Sequence, residues 1–295
     1  MHRRTAMQTA AGLLVASAAH GQQRPERDAG PSLAGEIGIV GGLRADAADK
    51  MPTEASTLDM PRRVREELDL RVIDLNSLPT LEPRFLDRLR KAADEAGCAF
   101  TNLKMNQPGL DMNSADLAVR RRALAEYKRT IDAAARLGCR WARPLPLAQR
   151  PDRRIHVDSY RELAEYGAQQ GVQLLVENYG WMSDDAESVA RLVKEIGSGV
   201  AACPDTGNWS SNEVRYAGLA SAFPLAVTCD FKARKFNAAG EHPEYDLKRC
   251  FEIGWQAGFR GPWCIEHGHA DRRELLRGIR LVRDLLRGWI AEKKG

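Results

Sequence analysis

Val172-Gln173-Leu174-Leu175-Val176-Glu177 is a short apolar run that ends on an acid, and the second half of the chain repeats the pattern three times more. Val200-Ala201-Ala202-Cys203-Pro204 precedes Asp205, Leu225-Ala226-Val227-Thr228-Cys229 precedes Asp230, and Pro262-Trp263-Cys264-Ile265 precedes Glu266. Short apolar segments separated by amphipathic helical stretches read as buried parallel strands joined by helical crossovers. Upstream, strands are expected at 36–40, 70–75, 99–103 and 141–143. Helices are expected around 61–67 and over 82–96, 115–137, 157–170, 186–196, 213–222, 247–257 and 272–291. Gly97, Gly138, Gly171, Gly197 and Gly258 each stand just before a strand, as helix-ending glycines do. About eight strand and helix pairs result, the number that closes a (β/α)₈ barrel of about 250 residues.

In such a barrel the C-terminal ends of the strands converge on one mouth. Glu177, Asp205, Asp230 and Glu266 are therefore expected to meet there. Their mutual repulsion calls for a neutralising divalent ion, and an all-oxygen ligand set suits a hard one, Mn²⁺ or Mg²⁺. The plainer alternative makes the four acids unrelated caps of the helices that follow.

The chain has 295 residues, room for one large domain, and a formal net charge of +4 with acids and bases interspersed. Nothing in that balance calls for nucleic acid. The arginine-rich last helix also carries Leu275, Leu276, Ile279, Val282, Leu285 and Leu286 at helical spacing, so its basic residues read as a solvated outer face. Residues 1–21 read as a signal peptide, with Arg3-Arg4 hinting at twin-arginine export, a short apolar stretch and small residues near the cleavage zone. Residues 22–35 form a polar tether and 36–295 the barrel domain. That makes the mature protein periplasmic or secreted, with no membrane anchor, and loss of Arg3 and Arg4 lowers its formal charge to +2. The six cysteines show no CxxC spacing and read as small buried hydrophobes.

Four stretches carry a resemblance: Val176-Glu177-Asn178-Tyr179-Gly180, Pro204-Asp205-Thr206-Gly207-Asn208-Trp209, Asp230-Phe231-Lys232-Ala233, and Gly258-Phe259-Arg260-Gly261-Pro262-Trp263-Cys264-Ile265-Glu266. Their order and spacing resemble the xylose isomerase-like superfamily of sugar and sugar-phosphate isomerases and epimerases, which are TIM barrels. The likeness covers most of residues 36–290 and is strongest after Gln170. It implies a single metal ion held by Glu177, Asp205, Asp230 and Glu266. Asp230 departs from the superfamily pattern, where a histidine before x-Lys is usual; a carboxylate there adds negative charge and favours a harder ion than zinc.

The resemblance also implies proton transfer beside a carbonyl, with Glu177 and Glu266 exchanging protons with a sugar or keto-sugar through an enediolate that the metal stabilises. Lys232 shares the strand parity of Asp230 and points either into the mouth or to solvent. Trp181 and Trp209 are either walls for a sugar face or packing residues. His269 is either a hydroxyl contact or solvated. Arg143 and Lys104 either take an anionic substrate group or pair with the acids. Asn178 and Asn208 have amides suited to orienting ligands, and Asn208 is counted among the substrate contacts.

Two alternatives to an isomerase or epimerase stand: a non-catalytic sugar-binding barrel, and a lyase or hydrolase acting on oxidised sugars. The endonuclease IV type of the same superfamily needs a trinuclear zinc cluster rich in histidine. This chain has no histidine between His20 and His156, and Asp205-x-x-Asn208 lacks one where it is expected, so that chemistry is not expected here.

Overall fold

The structure, a computed structural model, describes residues 32–41, 52–145, 149–237 and 239–294. The signal-peptide reading and the tether up to residue 31 lie outside the described residues. The described chain alternates strand and helix eight times: β1 (Ile37–Val40), α1 (Glu54–Leu68), β2 (Val72–Leu75), α2 (Pro83–Glu95), β3 (Ala99–Met105), α3 (Leu117–Leu137), β4 (Trp141–Pro144), α4 (Arg153–Gln170), β5 (Gln173–Val176), α5 (Ser188–Ile196), β6 (Val200–Ala202), α6 (Asn212–Ala222), β7 (Cys229–Lys232), α7 (Leu247–Gln256), β8 (Trp263–Glu266) and α8 (Arg272–Glu292). All eight strands are parallel, in the order β6-β5-β4-β3-β2-β1-β8-β7. The two end strands meet through parallel bridges Ala202 to Ala226 and Asp205 to Asp230, giving the (β/α)₈ barrel that the repeats predict.

Strand alternation sorts the side chains between two environments. Ile39, Ile73, Leu174, Val176, Phe231 and Ile265 face outward into the large core under the helices. Val40, Val72, Trp141, Leu175, Ala201, Cys203 and Cys264 form a separate apolar cluster inside the barrel. Gly38 belongs to this crowded interior: a Cβ there would lie 2.8 Å from both Cys264 Sγ and Val72 Cγ1. One alternation further along the strands, the interior turns polar. Asp74 follows Val72, Arg143 follows Trp141, Glu177 follows Leu175, Asp205 follows Cys203, and Glu266 follows Cys264.

Two strand assignments move. The apolar run 225–229 is mostly not strand: residues Phe223–Leu225 make a 3₁₀ turn, and β7 starts only at Cys229. Asp230 therefore sits inside β7, as Lys104 sits inside β3, rather than past a strand end. The extra length follows from pairing with neighbours, since β3 reaches Met105 opposite Pro144 and β7 reaches Lys232 opposite Glu266. The helices that follow the four acids are capped by other residues, Ser211, Asp246 and Asp271 by side-chain bonds and Glu187 by position, so the helix-cap explanation of the acids fails. Gly138 and Gly171 end α3 and α4 in the left-handed conformation, at φ 82 and 71, which only glycine adopts freely.

β7 and β8, which carry three of the site residues, are braced from outside by aromatic rings. Trp263 lies 4.8 Å from both Phe251 and Phe259, centroid to centroid, and Phe231 meets its edge. Such pairs add directional contacts to plain burial.

All six cysteines are free and buried, with burial pushing each thiol up. Ellman titration is expected to find almost no reactive thiol in the folded protein and six after denaturation.

His156, on α4, is buried with Nδ1 2.6 Å from Asn113 Oδ1, and burial pulls its imidazole from 6.5 down to about 4. The unfolded chain takes up this proton first as pH falls. Stability from the neutral ring is thus present above pH 6.5 and lost as pH falls towards about 4, by about 3 kcal/mol. Denaturant unfolding across that window should show a steeper loss in the wild type than in His156→Leu; parallel curves would refute this assignment.

Candidate active site at the barrel mouth

Each acid reaches the interior by the same local rule. Residues two apart on a strand point the same way, so an acid placed one alternation beyond an apolar interior residue lies on top of the barrel floor. Glu177, Asp205 and Asp230 are buried, and ligand oxygens from the three lie within 4.8 Å of one another. Glu266 is not part of this close group. Its side chain is 21% exposed at the mouth and is joined to the others through Lys232, whose Nζ lies 3.1 Å from Glu266 Oε1 and 2.6 Å from Asp205 Oδ2.

The compensating charges come from the chain itself. Lys104, buried in β3, donates to Asp230 Oδ2 and lies 3.6 Å from Glu177 Oε2. Arg143 Nε is 2.7 Å from the same Glu177 oxygen, and its Nη1 donates to Asn106 Oδ1 at 3.1 Å. Arg234 Nη2 donates to Glu266 Oε1 at 2.7 Å. Four carboxylates thus face four basic side chains. This network offsets part of the repulsion that a divalent ion is expected to relieve.

Among the paired alternatives, Lys104 and Arg143 turn onto the acids, and Lys232 points into the mouth rather than to solvent. Asn208 ties two elements together, its Nδ2 donating to Glu177 Oε1 at 3.1 Å while its Oδ1 accepts from Lys232 Nζ at 2.8 Å. Asn178 clasps the Asp205 backbone, accepting from its N–H at 2.8 Å and donating to its carbonyl at 3.0 Å. The Gly207 and Asn208 N–H groups donate to Asp205 Oδ1 at 2.6 and 3.0 Å, which fixes that carboxylate's rotation.

Other expected contacts lie elsewhere. Trp209 is buried against α6, so tightly that a Cβ on Gly218 would meet its ring at 2.4 Å; it is a packing residue. Trp181 packs edge-on to His156 beneath the Arg150 guanidinium. His269 is exposed, with Nδ1 accepting from the Asp271 N–H at the start of α8. Two site residues escaped the sequence reading. Arg234 follows Lys232 by two residues and was legible from that parity. Asp74, a lone acid in an apolar strand, is fully buried and accepts from Thr101 Oγ1 at 2.6 Å and Asn102 Nδ2 at 3.4 Å.

Burial and pairing drive the four carboxyls apart. At Glu177 burial pushes upward, but Arg143, Lys104 and Lys232 outweigh it and leave the group below its ordinary value. At Glu266 burial is again outweighed, by Lys232, Lys104 and Arg234, and the group falls to about 2. At Asp205 burial exceeds the pull of Lys232 and raises the group to about 6. Asp230 is pushed well up by burial, which Lys104 only partly offsets while the neighbouring carboxylates add to the rise. Divergent carboxyls in one cleft are a mark of acid and base chemistry.

The donor set fits a hard divalent ion. One buried oxygen of each member lacks a donor of good hydrogen-bond geometry; Glu177 Oε2 and Asp205 Oδ2 are held instead by the ion pairs to Arg143 and Lys232, and Asp230 Oδ1 is left without a hydrogen-bond partner. Buried polar atoms are rarely left unpartnered as Asp230 Oδ1 is, and three carboxylates that each bring an oxygen within 4.8 Å of the others are ligands of the kind such ions take.

Solved structures share the architecture at low identity. A xylose isomerase-like TIM barrel protein from Mycobacterium smegmatis, in complex with magnesium, is 18% identical, with a TM-score of 0.62 over 86% of this chain and 97% of that one. An L-ribulose 3-epimerase is 16% identical, with a TM-score of 0.68 over 88% of this chain and 96% of its own. An AP endonuclease, family 2, from Brucella melitensis is 14% identical, with a TM-score of 0.63 over 84% and 98%. Likeness at these identities speaks to fold alone. No curated protein sequence matches the chain. Residues 66–287 match the family described as Xylose isomerase-like TIM barrel, and on that span the chain belongs to this family.

Proposed function

We propose that the protein is a divalent-metal-dependent isomerase or epimerase of a sugar or related polyhydroxy carbonyl compound, working by proton transfer through an enediolate. The observation that carries this reading is the buried group of Glu177, Asp205 and Asp230, each with a carboxylate oxygen within 4.8 Å of the others and Asp230 Oδ1 without a hydrogen-bond partner, beside a Glu266 that reaches the mouth. Glu177, Asp205 and Asp230 would hold the ion, and their oxygen-only chemistry favours Mn²⁺ or Mg²⁺. Bound there, such an ion supplies Lewis acidity towards adjacent hydroxyl and carbonyl oxygens of the substrate.

The protein's own side chains supply the proton chemistry. Glu177 and Glu266 are both held in the ionised form that a base requires, Glu177 by Arg143 and Lys104 and Glu266 by Lys232 and Arg234. Glu266 is the more accessible of the two, and a substrate that draws Lys232 towards its own oxygens would raise the basicity of Glu266 by weakening that pair. Lys232 Nζ, already a donor to Asn208, is a charged hydrogen-bond donor for negative charge that develops on the substrate. The wall between Asn208, Glu177 and Asp205 keeps these groups in fixed orientation before substrate arrives.

The family and the small-sugar epimerase among the structural neighbours support the substrate class. The N-terminal sequence supports an exported enzyme that works outside the cytoplasm. One observation favours the non-catalytic sugar binder instead: the network of Lys104, Arg143, Lys232 and Arg234 balances the acids without an ion.

Solvent exchange separates the two. With Mn²⁺ present in D₂O, NMR over a panel of aldoses, ketoses and keto-sugars should show deuterium entering one carbon of at least one sugar. Glu177→Gln and Glu266→Gln should each slow that exchange by about a hundredfold or more. No exchange with any sugar, together with unchanged sugar binding in Glu177→Ala, would leave the binding barrel as the answer.

A further inference from the structure

Lys104 lies inside β3, in register with Arg143, and its side chain is 1% exposed. Its ammonium stands between two members of the acidic group, donating to Asp230 Oδ2 and facing Glu177 Oε2. Lys232 serves the third member, Asp205, and also pairs with the partly exposed Glu266. The two lysines differ in what they can do. Lys232 has a second partner at the mouth, whereas Lys104 is enclosed, with Asp230 and Glu177 as its charged partners.

We infer that Lys104 is a resident cation of the Glu177, Asp205 and Asp230 group: its ammonium compensates these acids and thereby limits how tightly a divalent ion is held. An incoming ion does not displace an enclosed side chain to solvent, so it shares the group with a positive charge a few ångströms away. Like charges at that range in a poorly screened interior repel strongly. Asp230 is the partner that makes the arrangement stable, because a lysine buried this deeply stays charged only with a carboxylate against it. In this chain the Lys104 and Asp230 pair is thus a unit: the acid adds a ligand oxygen, and the lysine cancels the charge that the acid adds.

The metal arm of this inference rests on the metal-dependent reading above; the charge-balance arm does not. The test is isothermal titration of Mn²⁺ into the full chain, as wild type and as Lys104→Met, with melting of both in EDTA. Lys104→Met is expected to bind Mn²⁺ about tenfold more tightly or better, to melt below the wild type in EDTA, and to regain the loss when Mn²⁺ is added. A merely structural lysine would lower the melting temperature without tightening the ion. A folded Lys104→Met with unchanged or weaker affinity overturns the inference. If neither protein takes up Mn²⁺, the metal-dependent function falls, and the EDTA melts decide the role of Lys104: Lys104→Met/Asp230→Asn must recover most of the stability that the single variant loses, and no recovery overturns it. Should Lys104→Met fail to fold, the same double variant decides, its folding supporting the charge unit and its failure refuting it.

Discussion

Carboxylates that come within a few ångströms of one another inside a protein are costly to ionise, and much of this barrel's interior is arranged around that cost. Glu177, Asp205 and Asp230 are all buried, and the surrounding elements answer them charge for charge: Lys104 from β3, Arg143 from β4, Lys232 from β7. Removing one partner from such a set leaves an uncompensated buried charge, worth about 3–5 kcal/mol in comparable sites. The network therefore couples distant strands. Lys104 and Asp230 are 126 positions apart in sequence, yet their contact helps set the geometry across the middle of the barrel.

The fold was largely legible because its signal is periodic. Apolar strand runs, amphipathic helices and glycines at helix ends recur at barrel spacing, and the eight units appear in the order that spacing gives. The exception is instructive. Residues 225–229 are the more apolar stretch, but β7 is Cys229-Asp230-Phe231-Lys232, where two charged residues alternate with two apolar ones. Hydrophobicity favoured the wrong window because the inner face of this barrel is polar at that level. An alternation test would have found the strand.

The site was legible in part. The acids announced themselves by repeated position, and Glu177, Asp205 and Asp230 do converge. Their counter-charges were legible only as alternatives: Lys104 and Arg143 could take an anionic group or pair with the acids, and the structure pairs Arg143 with Glu177 at the end of the adjacent strand and Lys104 with Asp230 across the barrel. Aromatic residues misled for a related reason. Trp209 follows an acid in sequence but turns away to fill the space over Gly218, a choice made by packing against α6 that no local pattern records. Family membership does not resolve these points, since it carries the architecture and leaves the chemistry of each cleft to its own side chains.

The apolar cluster of Val72, Trp141, Leu175, Ala201 and Cys264 closes the barrel below its polar layer. The cleft is therefore a dead end with one door. Whatever ion or small molecule reaches the acids from the strands' C-terminal side must leave by the path it took in, so an occupant and the next arrival cannot pass each other.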